Sequence, residues 1–333
     1  MLTYDQSLVP APNPIARRSQ VAAAAPMADR RPVASRADLG VNGLSLTLAG
    51  VQLATLALLA VLYAGSNLTI AWSTALQLIG FGGIGGLWLY LFANPGRNCR
   101  EWVVTESLAV LLLIISRALI VGSGQYLVAL WQRPLVDPYL ATADRLLGVS
   151  VPGVVVWTRQ HDWLTVALRV AYFTLLPQFI LAILGLGLVL RDRDRLWEFA
   201  FHFHFCSLVT LAASGLFPAE CAFTFYGFDP LIDQARFIHH FESLRAATFR
   251  TIRFDDIEGL ISFPSFHVAG ALMVTWAFRS RRAWLWPLIV LNIGLIAATF
   301  MTGAHYVIDV LATFVIFPVS VWSYRHLKRM LWT

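Results

Sequence analysis

The chain has 333 residues and a net charge of +6; 58% of its residues are hydrophobic and 13% are charged. A soluble domain carries about 45–50% apolar and about 25% charged residues, so an ordinary water-soluble domain is excluded. The positive charge is nearly all arginine (the only lysine is Lys328) and sits at the ends of apolar blocks, so it reports membrane topology and no nucleic-acid partner is expected.

Residues 1–44 are rich in Ala, Pro, Arg and Ser and lack apolar periodicity, which reads as a disordered tail. Within it, Val21 to Ala28 is too short and too interrupted by proline for a signal-peptide core. Eight apolar blocks follow: Leu46–Tyr63, Ile70–Phe92, Trp102–Leu130, Leu164–Leu190, Trp197–Phe217, Phe263–Phe278, Trp284–Met301 and Tyr306–Trp322. Most approach the ~20 residues that cross a bilayer. The expected fold is therefore an all-α, polytopic transmembrane helical bundle of about eight spans. Spans at 45–130 come first, then a core at 131–325, then a short tail at 326–333. Two long connections, Trp131–Trp163 and Pro218–Ser262, read as loops outside the lipid. Cys99, Cys206 and Cys221 are too few and too scattered for a disulfide framework or a zinc site and read as packing residues.

Alternating the blocks across a membrane puts sixteen of the 25 basic residues on the side of the N-terminus and seven on the other; Arg117 and Arg169 fall inside spans. The positive-inside rule then makes both termini cytoplasmic. In a bacterium the membrane would be the inner membrane. The same alternation gathers both long connections and two histidine-bearing segments on the opposite, non-cytoplasmic face.

The first of these segments is Pro264-Ser265-Phe266-His267. A proline at the first position of a helix, free N–H groups in that turn and the Ser265 hydroxyl form a ready anion site beside His267. The second is His305-Tyr306-Val307-Ile308-Asp309. Its spacing of four suits a carboxylate that accepts the His305 N–H, fixes the tautomer and leaves the other nitrogen free to attack. An ionisable residue at a membrane span is costly and marks a functional site. Read separately, the segments could be a helix cap with an interfacial histidine and a structural His–Asp pair.

Together, Pro264–His267 and Gly303–Asp309 resemble the second and third signature motifs of the type 2 phosphatidic acid phosphatase superfamily. The likeness is greatest to its inositol phosphorylceramide synthase-like, or inositolphosphotransferase, branch. There the second motif commonly reads Pro-Ser-Leu-His, with Phe266 in the bulky position here, and the third reads Gly-x-His-Tyr-x-x-Asp. The close resemblance covers roughly Gly259–Ala312, with weaker likeness around Asp137–Gly148 and Gly215–Ala219. It implies a phosphohistidine mechanism in which His305 is the nucleophile, Asp309 orients it and His267 protonates the leaving oxygen. Ser265 would contribute to substrate binding. No metal and no cofactor are implied; the partners would be lipid substrates and the bilayer.

The chain departs from the superfamily where a phosphate clamp belongs. The third motif usually opens Ser-Arg, and those positions are Ala298 and Thr299. The first motif usually has a lysine seven residues before an Arg-Pro; Arg133-Pro134 is present, and the lysine position is Tyr126. Arg169 and Arg133 are the candidate substrate-binding cations, with Arg117 nearer the middle of its span. The resemblance thus implies an integral membrane lipid phosphotransferase that moves a phosphoryl or phosphoinositol-type head group to a lipid alcohol. A lipid phosphate phosphatase, or a degenerate transport or binding protein, is the alternative. Asp137, Asp144, Asp255, Asp256 and Glu258 match no metal cage and read as solvated loop charge or head-group contacts. His202 and His204 point to different sides of one span, His239 and His240 fall in a loop, and all four read as structural or solvent-facing.

Overall fold

The computed structural model describes residues 36–73, 76, 79, 80, 83, 102–232, 235–253 and 256–332. Residues 1–35, most of the expected span Ile70–Phe92, Cys99 and Asp255 lie outside them. In chain order the helices are α1 (Arg36–Ala64), α2 (Trp102–Ala129), α3 (Asp137–Leu146), α4 (Val151–Arg159), α5 (Asp162–Phe173) and α6 (Leu175–Leu184), which runs into a π turn at Gly185–Val189. They continue with α7 (Arg193–Leu216), α8 (Ala222–Tyr226), α9 (Ala235–Arg245), α10 (Phe266–Ala277), α11 (Arg282–Met301) and α12 (Val307–Trp332). The strands β1 (Thr69–Ile70) and β2 (Thr251–Ile252) make one two-residue parallel pairing, with Thr69 opposite Thr251.

Among the described residues five helices (α1, α2, α7, α11 and α12) are long and apolar enough to cross a membrane, and the count rises to seven if each of two bent pairs is one span. Helices of this length and composition mark an integral membrane protein. The first bent pair is α5 with α6 and its π turn, broken by 43°. The second, α3 with α4, turns through 78° inside the stretch expected to be a loop. Its sequence explains the bend. Pro138 and Pro152 lie in the first turns of the two helices, Gly148 has φ 75° at the end of α3, and the Ser150 hydroxyl accepts the Gly153 N–H to start α4. The expected span Phe263–Phe278 is also different. Only Phe266–Ala277 is helical, 12 residues, or about 18 Å against a hydrocarbon core of about 30 Å.

That short helix lies inside the bundle. It packs on α6, α7, α11 and α12, and α2 lies along α7. Ala269, Met273 and Val274 of α10, with Phe278 just after it, share one buried cluster with Phe179, Trp197, Phe199, Leu295 and Phe317. Gly270 permits this closeness: a Cβ there would lie 2.6 Å from the Leu175 side chain of α6. In lipid such packing is driven by dispersion and close fit rather than by escape from water. A second cluster joins the ends of α1 and α2 to the connecting segments through Leu59, Ile120, Leu127, Phe237, Phe241 and Leu260.

Candidate active site

Ser265 is the N-cap of α10; its hydroxyl accepts the Val268 N–H at 3.5 Å. Pro264 therefore precedes the cap instead of opening the helix, and the Phe263–Pro264 peptide bond is cis. His267 falls in the first helical turn, as the sequence suggested. Its ring stacks on Tyr172 of α5 at a centroid separation of 4.1 Å, and the Tyr172 hydroxyl lies 3.4 Å from His267 Nδ1.

The other segment enters from α11 through a tight turn. Gly303 has φ 93°, and a Cβ there would come within 2.4 Å of the Phe228 ring, so both the turn and the space require glycine. His305 stands just before α12, and its backbone N–H donates to the Thr299 carbonyl at 2.9 Å. Asp309, in the first turn of α12 and fully buried, has one oxygen 3.3 Å from His305 Nδ1. That oxygen also accepts the Tyr306 N–H at 3.0 Å. The carboxylate thus makes Nδ1 the protonated nitrogen and leaves the Nε2 lone pair available.

The Ser265 hydroxyl lies 3.2 Å from His305 Nε2, so the two segments meet directly. Thr313 of α12 reinforces the meeting, its hydroxyl within reach of the Ser265 carbonyl (3.1 Å) and the Asp309 carbonyl (2.9 Å). The His267 and His305 rings are 6.4 Å apart and line the same cavity of about 330 Å³. Its other walls are apolar (Val121, Phe203, Phe237, Ile261, Phe266) and polar (Gln125, Ser207, Thr210, Glu258). A larger cavity of about 440 Å³, near the ends of α1 and α2, is lined by Trp131 and Arg250 and by neither histidine.

Two carboxylates expected to be solvated are instead buried and hold the His305 segment in place. Asp144 accepts the N–H groups of Val307 (2.9 Å) and Ile308 (2.8 Å), two of the donors that the start of α12 leaves unpaired. Asp137 accepts the Tyr306 hydroxyl at 2.9 Å and the N–H groups of Glu220 and Cys221. Burial, with Asp137 alongside, raises the Tyr306 phenol well above its ordinary value, so it remains a donor. The sequence carried a signal for both: Asp137 and Asp144 are seven residues apart, on one helical face with Leu140 and Ala141.

The expected clamp does not form. Arg169 is exposed on α5, whose buried face is Leu168, Ala171 and Tyr172, and it does not line the cavity. Arg133 is exposed in the α2–α3 connection, where its carbonyl accepts from Arg245. Thr299 is buried with its hydroxyl on the Ile296 carbonyl. Tyr126 is fully buried, 2.8 Å from His240 Nδ1, and accepts the Glu258 N–H. His240 belongs to α9, not to a loop, and lies 3.5 Å from Asp256. His202 and His204 are both buried within α7, and Glu258 lines the cavity. Among the described residues no cluster of His, Cys, Asp and Glu is arranged to hold a metal, and Cys206 and Cys221 are free and buried.

Residues 138–323 match the family model of the PAP2 superfamily. The chain belongs to the PAP2 superfamily. The matched stretch is more than half of the chain and includes Asp144, Ser265, His267, His305 and Asp309; it leaves out α1 and α2. PAP2 membership makes the protein an enzyme of the phosphatase or phosphotransferase type. A search of the curated proteins finds no match, and neither does a search of the solved structures.

Proposed function

We propose that this PAP2 enzyme is a lipid phosphotransferase that works through a phosphohistidine on His305. The observation that carries the reading is the chain Ser265–His305–Asp309 facing His267 across one cavity. Nε2 of His305 attacks phosphorus as the P–O bond to the leaving alcohol breaks, and His267 gives that oxygen its proton. An acceptor alcohol then attacks the phosphohistidine, His267 takes the alcohol's proton, the P–N bond breaks and His305 is regenerated. Tyr172 at Nδ1 of His267 leaves Nε2 as the nitrogen that shuttles the proton.

The likeness of Pro264–His267 and Gly303–Asp309 to the inositolphosphotransferase branch supports transfer of a phosphoinositol-type head group to a lipid alcohol over hydrolysis. The distribution of arginine supports a site on the non-cytoplasmic face with both termini cytoplasmic. Purified protein incubated with phospholipids labelled in the head-group phosphate, with and without a lipid alcohol, tests the reading. Acid-labile label on the protein, absent in His305→Ala, followed by labelled lipid product only when the alcohol is present, is the expected result. Labelled water-soluble product alone would make it a phosphatase. No label on the protein and no product would overturn the enzymatic reading.

A further inference from the structure

Among the described residues no Arg or Lys side chain lines the cavity that holds the two histidines. A reacting phosphoryl group carries negative charge on three oxygens, and two imidazoles with one helix N-terminus offset only part of it. One buried cation lies behind the cavity wall. Arg117 is fully buried in the middle of α2, one turn before Val121 on the face that presents Val121 and Gln125 to the cavity. Its three hydrogen-bond partners are neutral: Thr55 Oγ1 at 3.0 Å, Ser207 Oγ at 3.1 Å and the His204 carbonyl at 3.5 Å. Neighbouring His204 turns its nitrogens to the Ala200 carbonyl and to Gln52, so it supplies no anion either.

A buried guanidinium without a carboxylate is costly in a membrane protein and is placed where an anion will meet it. Ser207 connects it to the site, because this hydroxyl both accepts from Arg117 Nε and lines the cavity. The Ser207 proton is directed at the His204 carbonyl, 3.1 Å away.

We infer that Arg117 is the positioning residue for the substrate phosphate, acting through Ser207. When the phosphate enters, the Ser207 hydroxyl turns from the His204 carbonyl to a phosphoryl oxygen and keeps accepting from Arg117. The guanidinium polarises that hydroxyl and balances the charge across the wall. This residue then replaces the cation that Thr299 and Tyr126 do not supply. The inference rests on the phosphotransfer reading and adds the source of the positive charge.

The test measures binding of inorganic phosphate to purified protein in detergent, together with the rate at which labelled phospholipid labels the protein. The variants are Arg117→Met, Arg117→Lys and Ser207→Ala. The expected result is a Kd for phosphate, and a slowing of labelling, that change by on the order of tenfold to a hundredfold in Arg117→Met and Ser207→Ala, the loss of a charge-assisted contact. Arg117→Lys recovers part of both. In phosphate-free buffer Arg117→Met melts no lower than wild type, because an uncompensated buried charge has been removed. Wild-type binding and labelling in Arg117→Met would overturn the inference, as would a lower melting temperature with both readouts unchanged. If Arg117→Met does not fold, Ser207→Ala decides, and unchanged binding and labelling there overturns it. A wild-type protein that neither binds phosphate nor becomes labelled would fail the phosphotransfer reading itself. A wild-type protein that is labelled, but no faster than Arg117→Met, fails only this inference.

Discussion

Asp144 reaches from α3 to the backbone N–H of Val307, 2.9 Å away, and so supports the start of the helix that follows His305. The contact spans 163 positions of sequence and binds a bent helix pair to the His305 turn. Removing the carboxylate leaves two part-buried N–H groups unpaired, a loss of roughly 1–3 kcal/mol. Asp144→Ala is expected to lower the melting temperature in detergent and to cut turnover in the fraction that stays folded, since His305 loses its support. Asp144→Asn keeps an acceptor and is expected to fall between the two. Equal melting temperatures for wild type and Asp144→Ala would remove this role.

Asp309→Asn tests the orienting carboxylate. The amide has nearly the same shape but no charge and can present N–H₂ to His305 Nδ1, which favours the wrong tautomer. A loss on the order of 10³–10⁴-fold in turnover is expected, as for other His–carboxylate pairs. Because one Asp309 oxygen serves both His305 and Tyr306, an amide nitrogen in its place also faces the Tyr306 N–H, and a modestly lower melting temperature is expected beside the loss of turnover.

The acid role of His267 has a signature that depends on the leaving group. His267→Ala should abolish transfer from substrates whose leaving group is an ordinary alcohol, which needs a proton. It should cost far less with a p-nitrophenyl ester, whose anion leaves unaided. Tyr172→Phe keeps the ring against His267 and deletes the hydroxyl near Nδ1. It is expected to show the same leaving-group bias in milder form. A uniform loss across both substrate types would argue that these residues only shape the cavity.

Gly303→Ala should be damaging at a distance from the chemistry. Its φ of 93° is strained for any L side chain, and the added carbon collides with Phe228. A penalty of about 1–3 kcal/mol comes from the backbone alone. The expected readout is a lower melting temperature that substitution of Phe228 by a smaller residue only partly restores.

The parts of the site that the sequence displayed are those made by short, local spacing. Asp309 meets His305 four residues away, and Ser265 and His267 flank the first turn of one helix, so motif and contact coincide. Arg169 shows the opposite case. An arginine inside an apolar block is costly wherever it faces, and hydropathy does not say which side of the helix packs; the buried side proved to be Leu168, Ala171 and Tyr172. Asp137 and Asp144 share a helical face with Leu140 and Ala141, but α3 and α4 are too short, and too sharply bent, to stand out as apolar blocks, so the stretch reads as a loop. Tyr172 and Ser207 gave no local signal at all. They matter only because α5 and α7 pack beside α10 and α2, a fact of tertiary arrangement.

The Ser265 hydroxyl beside His305 Nε2 has a consequence for the resting enzyme. On the proposed mechanism this nitrogen carries the electron pair that attacks phosphorus, and the serine hydrogen bond guards it until a phosphoryl oxygen draws the proton away. A phosphoryl oxygen is a stronger lure for the serine proton than a neutral ring nitrogen. The arriving substrate therefore unlocks its own attacker, and a molecule without such an oxygen finds the histidine still latched.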